Sequence, residues 1–557
     1  MKKFLALLLA LVMVFALVAC GGGNGDVEPS TQPSDNANLD NTDKITDDEA
    51  TKSDYVRPSI TLETKDSNVN PLAMRSSGVI SYSVYEMLYT SENGIGSKMV
   101  PWLADATKGG NNELGLKGMD HEVGSGVYVF YIYDYIKDSA GNTITAEDVV
   151  YSFEQTLAFG QASGWNKIEK FVADGPTTFK MICKEDFSTK GEIENILLRC
   201  FIFSKKGFEA SPSQFTADAC GTGRYAITEF TQDASVTLTK RADYWQTNEE
   251  LIPRAAWANV EKINLIVSSD NNSNVMALQS GNLDMLAAIP LGLAAGLDES
   301  KFAVYTYPQN GLTYLEPNCS ADSIMGNKDL RLAVFYALNN ANICKVLNAA
   351  SKAPVDTYYP LTAFGHDLFA DYNKAWDSLE NYVTQTDEAK VEQYKKAAGY
   401  NNEVIRILHN DNTGAVEQIL TVLDAAGFKV EGMQRDRNAS QAVYADSKGW
   451  DLFFNQTNSS DYMTNLYDHA FNNKQGHGVT KNFIDDAKLN ELMQKAYAVG
   501  AGEAEMDALW QYIVDMAYEY PIMRNLNGFV LPAGAVDSVW RNDKNTFMPG
   551  AANWVEG

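Results

Sequence analysis

Asp138–Gln155 reads DSAGNTITAEDVVYSFEQ. A turn rich in Gly and Asn runs into Thr145, and Asp148 follows three residues later at the spacing of a capping box. Glu147 and Asp148 occupy the first helical turn, where the helix dipole favours negative charge. Val149, Val150, Phe153 and Leu157 recur on one face, and Gly160 supplies a stop. The stretch therefore predicts a helix that begins at Thr145 and packs an apolar face on a core. Its acids cap a helix; they do not catalyse. Just before it, VYVFYIYDYI (Val127 to Ile136) is aromatic and β-branched and reads as a strand.

Working outward, the same alternation continues. Gly221 to Trp245 reads as two strands with turns. Val260 to Leu286 reads as a strand, a polar turn, a helix and a Gly-centred turn. Asn327 to Ala350 reads as two short helices split at Asn339-Asn340. Ala415 to Met433 reads as a helix, a stop at Gly427 and a strand. In WDLFFNQTNSSDY (Trp450 to Tyr462) a core strand turns into an uncharged polar collar that ends on one carboxylate, Asp461. No short repeat is visible. The class is α/β, in more than one lobe.

The chain has 557 residues, which at ~150 per domain suggests three or four folding units. Hydrophobic residues make up 45%, enough for large cores. A net charge of −27 excludes a nucleic-acid binder, which needs a Lys/Arg surface. It equally excludes a basic patch for anionic lipid.

Lys2 and Lys3 precede an apolar run, Phe4 to Ala19, of 16 residues. That is shorter than the roughly 20 that span a bilayer, so residues 1–19 read as a secretory signal peptide. Its exit, LVAC, is similar to the lipobox of bacterial lipoproteins and marks Cys20 as a lipidated first residue. Several acyl chains there would anchor the protein, at ~0.8 kcal/mol per buried CH₂. Residues 20–54 follow as a lipidated Cys and an acidic tether rich in Gly, Asn, Ser, Asp and Pro, with no aromatics to form a core. As a coil it reaches on the order of 30 Å.

The remaining cysteines are Cys183, Cys200, Cys220, Cys319 and Cys344, with no C-x-x-C pair. They suggest neither zinc nor a redox motif, and the spacing leaves disulfides undecided. No nucleophile elbow, H-E-x-x-H or phosphate loop occurs. Of five histidines, His469 and His477 lie near Asp468, at no standard metal-ligand spacing. No catalytic residue, metal or cofactor is expected.

In this order the segments resemble the family five extracellular solute-binding proteins of bacterial ABC importers, the dipeptide and oligopeptide binders. SNVNPL (Ser67 to Leu72), VYEMLYT and PWLADATK are similar to the family's opening motifs. Asp138–Gln155 resembles its TAEDVV stretch. GTGRYAITEF and RADYW resemble GTGPY and NPDYW, with Arg224 in place of proline. ALQSGNLDML and KDLRLAVFYALNNANI complete the series.

The resemblance implies a two-lobed, periplasmic-binding-protein-like fold of type II with an inserted domain, closing by a hinge. Lobe one would be 55–91, 221–303 and 523–557, the inserted domain 92–220, and lobe two 304–522. It implies a monomer on the outer face of the cytoplasmic membrane. Its partners would be a peptide ligand and the permease and ATPase subunits. It also implies that Asp461 holds a peptide's α-ammonium, with Tyr462, Asn458 and Thr457 beside it. Ser76, Ser77 and Gly78 would contact the ligand from lobe one. The run from Asp451 to Asp461 is one residue longer than in the family, the family's Trp is missing, and no Arg or Lys lies between Lys448 and Lys474. The same fold with another cargo (oligosaccharide, nickel chelate or haem) is the near alternative, and a secreted hydrolase the distant one.

Overall fold

The computed structural model describes residues 51–73, 78–92, 98–159, 165–187, 190–294, 296–351, 382, 386–411, 414–456, 482–498, 501, 503–542 and 546–556. The chain is already held at its first described residues: Asn553 donates Nδ2 to the Thr51 carbonyl, and Lys52 pairs with Glu249 at 2.9 Å.

Three sheets of four or six strands organise these residues, beside the two-stranded pairs Tyr89–Ser91 with Met99–Pro101 and Val536–Ser538 with Asn553–Trp554. In the first, Arg57–Thr64 runs parallel to Val260–Val267, and Ser235–Lys240 and Tyr225–Thr231 continue it antiparallel. The second is antiparallel throughout, in the order Met119–His121, Val127–Tyr131, Thr178–Cys183, Ile168–Ala173. The third has six strands: Leu286–Ile289, Tyr520–Pro532, Phe302–Pro317, Leu452–Gln456, Val404–His409 and Lys429–Gln434. Its last two joints are parallel, and the helix Ala415–Ala425 makes the crossover that a parallel pair needs.

The helix from Thr145 is present as Ala146–Ala158, with Thr145 extended before it. Asp148 Oδ2 accepts from Thr145 N and Oγ1, both at 2.8 Å, so the acid caps as its spacing predicts. The apolar face differs from the expected one. Val149 and Phe153 are buried, but Leu157 is 39% exposed. Ser152 and Thr156 take the inner positions, each donating to the carbonyl four residues back. The short helices Lys328–Tyr336 and Asn340–Ser351 split where expected. Gly427, at φ +77°, follows the helix Ala415–Ala425.

Two large cores result. The first takes Ile60, Leu62, Trp102, Phe130, Phe179 and Trp540 from the first two sheets and the carboxyl terminus. The second takes Leu315, Phe335, Ile407, Ile419, Leu452 and Ile522. Phe302–Pro317 and Tyr520–Pro532 belong to both. Tyr305 and Phe529 lie in the first core, Leu315 and Tyr520 in the second. Between these ends the ladder slips. Pro308 pairs with Leu526 and Leu312 with Arg524, so four steps on one strand face two on the other. A second slip follows at Thr313/Tyr314. Such irregularities bend and twist a ribbon locally.

Each core encloses acids. Glu86, fully buried in the first, accepts from Trp102 Nε1 (2.8 Å), Tyr244 Oη (2.6 Å) and Trp245 Nε1 (2.8 Å). Burial nevertheless pushes it up to about 7. Asp451, fully buried in the second, accepts from Arg406 N and Nε at 2.9 Å and from Ser323 Oγ at 2.7 Å.

Candidate functional site

The stretch that begins at Trp450 opens as the core strand expected of it. Trp450 is fully buried, in contact with Tyr444, Phe453 and Phe483. Leu452 and Phe454 point into the second core, Phe453 to the opposite side. Burying each such side chain stabilises by roughly 1.5–3 kcal/mol, which fixes the register of Leu452–Gln456. That strand lies between Val404–His409 and the outgoing end of Phe302–Pro317. Its last residue, Gln456, pairs with Thr313 on the ribbon that joins the two cores.

Thr457, Asn458, Asp461 and Tyr462 themselves lie outside the described residues, as do Ser76, Ser77 and Cys20. What the structure does place is the support on either side. Asn455, the first polar residue of the collar, directs its amide inward. Nδ2 donates to Tyr314 Oη and Glu316 Oε2, both at 3.2 Å. Tyr444 Oη stands 2.8 Å from both oxygens of Glu316. Burial lifts the Glu316 carboxyl to about 7, against the pull of these two donors.

On the other side, Gly78 begins the helix Gly78–Val84. A Cβ there would stand 2.7 Å from Thr546 Oγ1, so the position needs glycine because the carboxyl-terminal hairpin packs against it. Arg541 and Phe547 form the bridge of that hairpin. Trp540 Nε1 donates to the Glu92 carbonyl at 2.6 Å. The flanks of residues 74–77, 93–97 and 543–545 are thus tied into one region.

Sequence reasoning missed Thr546, Tyr444 and the acids Glu316 and Glu519. Glu316 did carry a signal, as a lone charge inside the apolar run TYLEP. Tyr444 and Thr546 carried none, since their partners lie 128 residues and more than 400 residues away in sequence.

The remaining candidates resolve simply. All five later cysteines are free thiols. His121 is buried, with Nδ1 2.7 Å from Glu113 and Nε2 3.2 Å from Asp186. His409 is buried as well, and burial lowers its pKa. His366, His469 and His477 lie outside the described residues. Among the described residues no group of His, Cys, Asp and Glu is arranged to hold a metal ion. No helix among them is long and apolar enough to cross a membrane.

Comparison with known proteins agrees with this architecture. Glutathione-binding protein GsiB of Shigella boydii is 24% identical over 379 residues, covering 62% of this chain and 67% of the relative. Oligopeptide-binding protein OppA of Bacillus subtilis is 22% identical over 369 residues, covering 60% and 63%. The solved structure of HbpA2 from Haemophilus parasuis superposes with a TM-score of 0.72 at 15% identity, over 90% of this chain and 100% of its own. Such likeness establishes the type II periplasmic-binding-protein fold. The model of the bacterial extracellular solute-binding proteins, family 5, matches residues 98–477. The chain belongs to that family.

Proposed function

We propose that this protein is a lipid-anchored receptor that captures peptides outside the cytoplasmic membrane and passes them to an ABC permease and its ATPase. Relatives named for binding glutathione and oligopeptides support the cargo. The observation that carries the reading is the placement of Leu452–Gln456: a strand fixed in the second core ends beside the ribbon joining the cores, and the polar sequence that holds Asp461 follows it in the chain.

In this reading Asp461 holds the peptide's α-ammonium by a charge-assisted bond. Tyr462, Asn458 and Thr457 line the loop, and Ser76 and Ser77, ahead of Gly78, meet the peptide backbone from the facing lobe. The lobes are 55–91 with 221–303 and 523–557, and 304–522, with 92–220 inserted. The distribution of the sheets supports this division, and the slipped ladder at 308–314 is the hinge. Cys20 carries the lipid, and the protein acts as a monomer without catalysis.

Asp461→Asn keeps the shape and removes the charge. The expected loss is roughly 1.5–3 kcal/mol, or about ten- to a hundredfold in peptide affinity. Acetylating the peptide's amino terminus should cost the wild type a similar factor and the variant little, since both changes delete one interaction. Equal losses on the two proteins would remove Asp461 from the site. Native mass spectrometry of the purified protein reads the cargo itself; a co-purifying sugar or metal chelate would replace the peptide.

A further inference from the structure

Two buried carboxyl groups at the central strands of the third sheet have no part in the proposed ligand contacts. Glu316 stands on Phe302–Pro317, and Glu519 immediately precedes Tyr520–Pro532. Leu315 pairs with Tyr520 in an antiparallel ladder, so the next step brings Glu316 opposite Glu519. They are 2% and 4% exposed.

Their surroundings hold phenols, a carboxamide and a thiol. Tyr444, from the helix Arg437–Tyr444, donates to Glu316, as does Asn455 from the neighbouring strand. Tyr314, two residues before Glu316, and Tyr382, whose Oη donates to the Glu519 carbonyl, complete the enclosure with the Cys319 thiol. The charge of Arg331 acts on Cys319 and Tyr382. Its guanidinium is directed at the carbonyls of Met325, Gly326, Met516 and Ala517. Neither acid has a Lys or Arg partner among the described residues. Glu519 Oε1 is buried with no hydrogen-bond partner at all.

We propose that the Glu316 and Glu519 pair keeps one proton at neutral pH, and that this proton stabilises the sheet whose strand Leu452–Gln456 leads to the candidate ligand residues. Two ionised carboxyls side by side in a buried site repel each other and lose their hydration, so one stays protonated. The proton resides chiefly on Glu519, whose Oε1 no donor serves. Glu316, with two donors, carries the charge.

Burial and then the Glu316 charge hold Glu519 well above the ordinary carboxyl range, and burial lifts Glu316 to about 7. The folded chain thus keeps a proton that the unfolded chain releases near the ordinary value of about 4.3. The stability this contributes is complete below that value and is lost as pH rises through the folded one. Ligand identity does not enter, so the inference stands or falls apart from the peptide reading.

The test is urea unfolding of the full mature chain between pH 5 and 8.5. Glu519→Gln mimics the protonated acid and should remove one proton's worth of the pH slope, on the order of a tenfold change in unfolding constant per pH unit. The pair Glu316→Gln, Glu519→Gln should remove no more than that, because a shared proton is lost once. Parallel slopes for wild type and Glu519→Gln would overturn the proposal, and so would a two-proton change in the double variant. Infrared difference spectra between wild type and Glu519→Gln at pH 8.5, above the range in which Glu63 and Glu86 lose their protons, give a second reading, with a carboxylic-acid C=O band in the wild type that Glu519→Gln lacks. Its absence from the wild type would count equally against the shared proton. Should Glu519→Gln fail to fold, Glu316→Gln should leave both the slope and the C=O band in place, because the proton sits on Glu519; loss of either would overturn the proposal.

Discussion

Glu86 in the first core and Glu519 in the second are both buried carboxyls. Glu86 is met by two indole N–H groups and a phenol, and indole can only donate. Glu519 leaves an oxygen with no donor and faces another acid. The first site is built for a carboxylate, the second for a carboxylic acid. Burial raises both groups, so the direction of a shift alone does not separate them. What separates them is the list of donors. Asp451 shows that the contrast is not between cores: it lies as deep in the second core as Leu452 and is ringed by Arg406 and Ser323.

The largest test removes the donor-built site. Glu86→Ala leaves three buried donors unpaired beside a cavity and should cost roughly 3–5 kcal/mol in urea unfolding. If it costs as little as Glu519→Gln, donor count does not separate the two sites. Asp451→Ala comes next. Arg406 is about a third exposed and recovers some hydration, so the loss should be about 2–3 kcal/mol, read the same way.

The smallest effect is on the wild type alone. Glu63 and Glu86 are each lifted by burial to about 7. Acids raised on folding contribute stability that is complete below about 4.5 and lost as pH climbs through 7. Each should therefore forfeit on the order of 1 kcal/mol between pH 6 and 8. Unfolding midpoints that stay level over this range would show that the buried acids are ionised throughout.

Much of the scaffold was legible because its causes are local. Thr145 and Asp148 are three residues apart, Gly427 stands just past the cap of its helix, and WDLFF carries its own burial. The face of Ala146–Ala158 was misread at Leu157 because Ser152 and Thr156 can turn inward once their hydroxyls bond the preceding turn. The acids were less legible. Glu86 takes its donors from Trp102, Tyr244 and Trp245, and Glu316 from Tyr444, so their roles exist only after long-range pairing. Gly78 was legible as a close approach, but the neighbour is Thr546. Thr457, Asn458, Asp461 and Tyr462 fall outside the described residues, so their part in the site rests on the resemblance.

The ribbon of Phe302–Pro317 and Tyr520–Pro532 has a mechanical consequence. Two hydrogen-bonded strands behave as a flat leaf spring. Flexing across the face requires small backbone rotations, whereas flexing within the plane stretches one strand's bonds and compresses the other's. With both slips confined to 308–314, compliance is concentrated in one short band. Any swing of one core against the other about that band has a single soft axis, and the ribbon itself sets its direction.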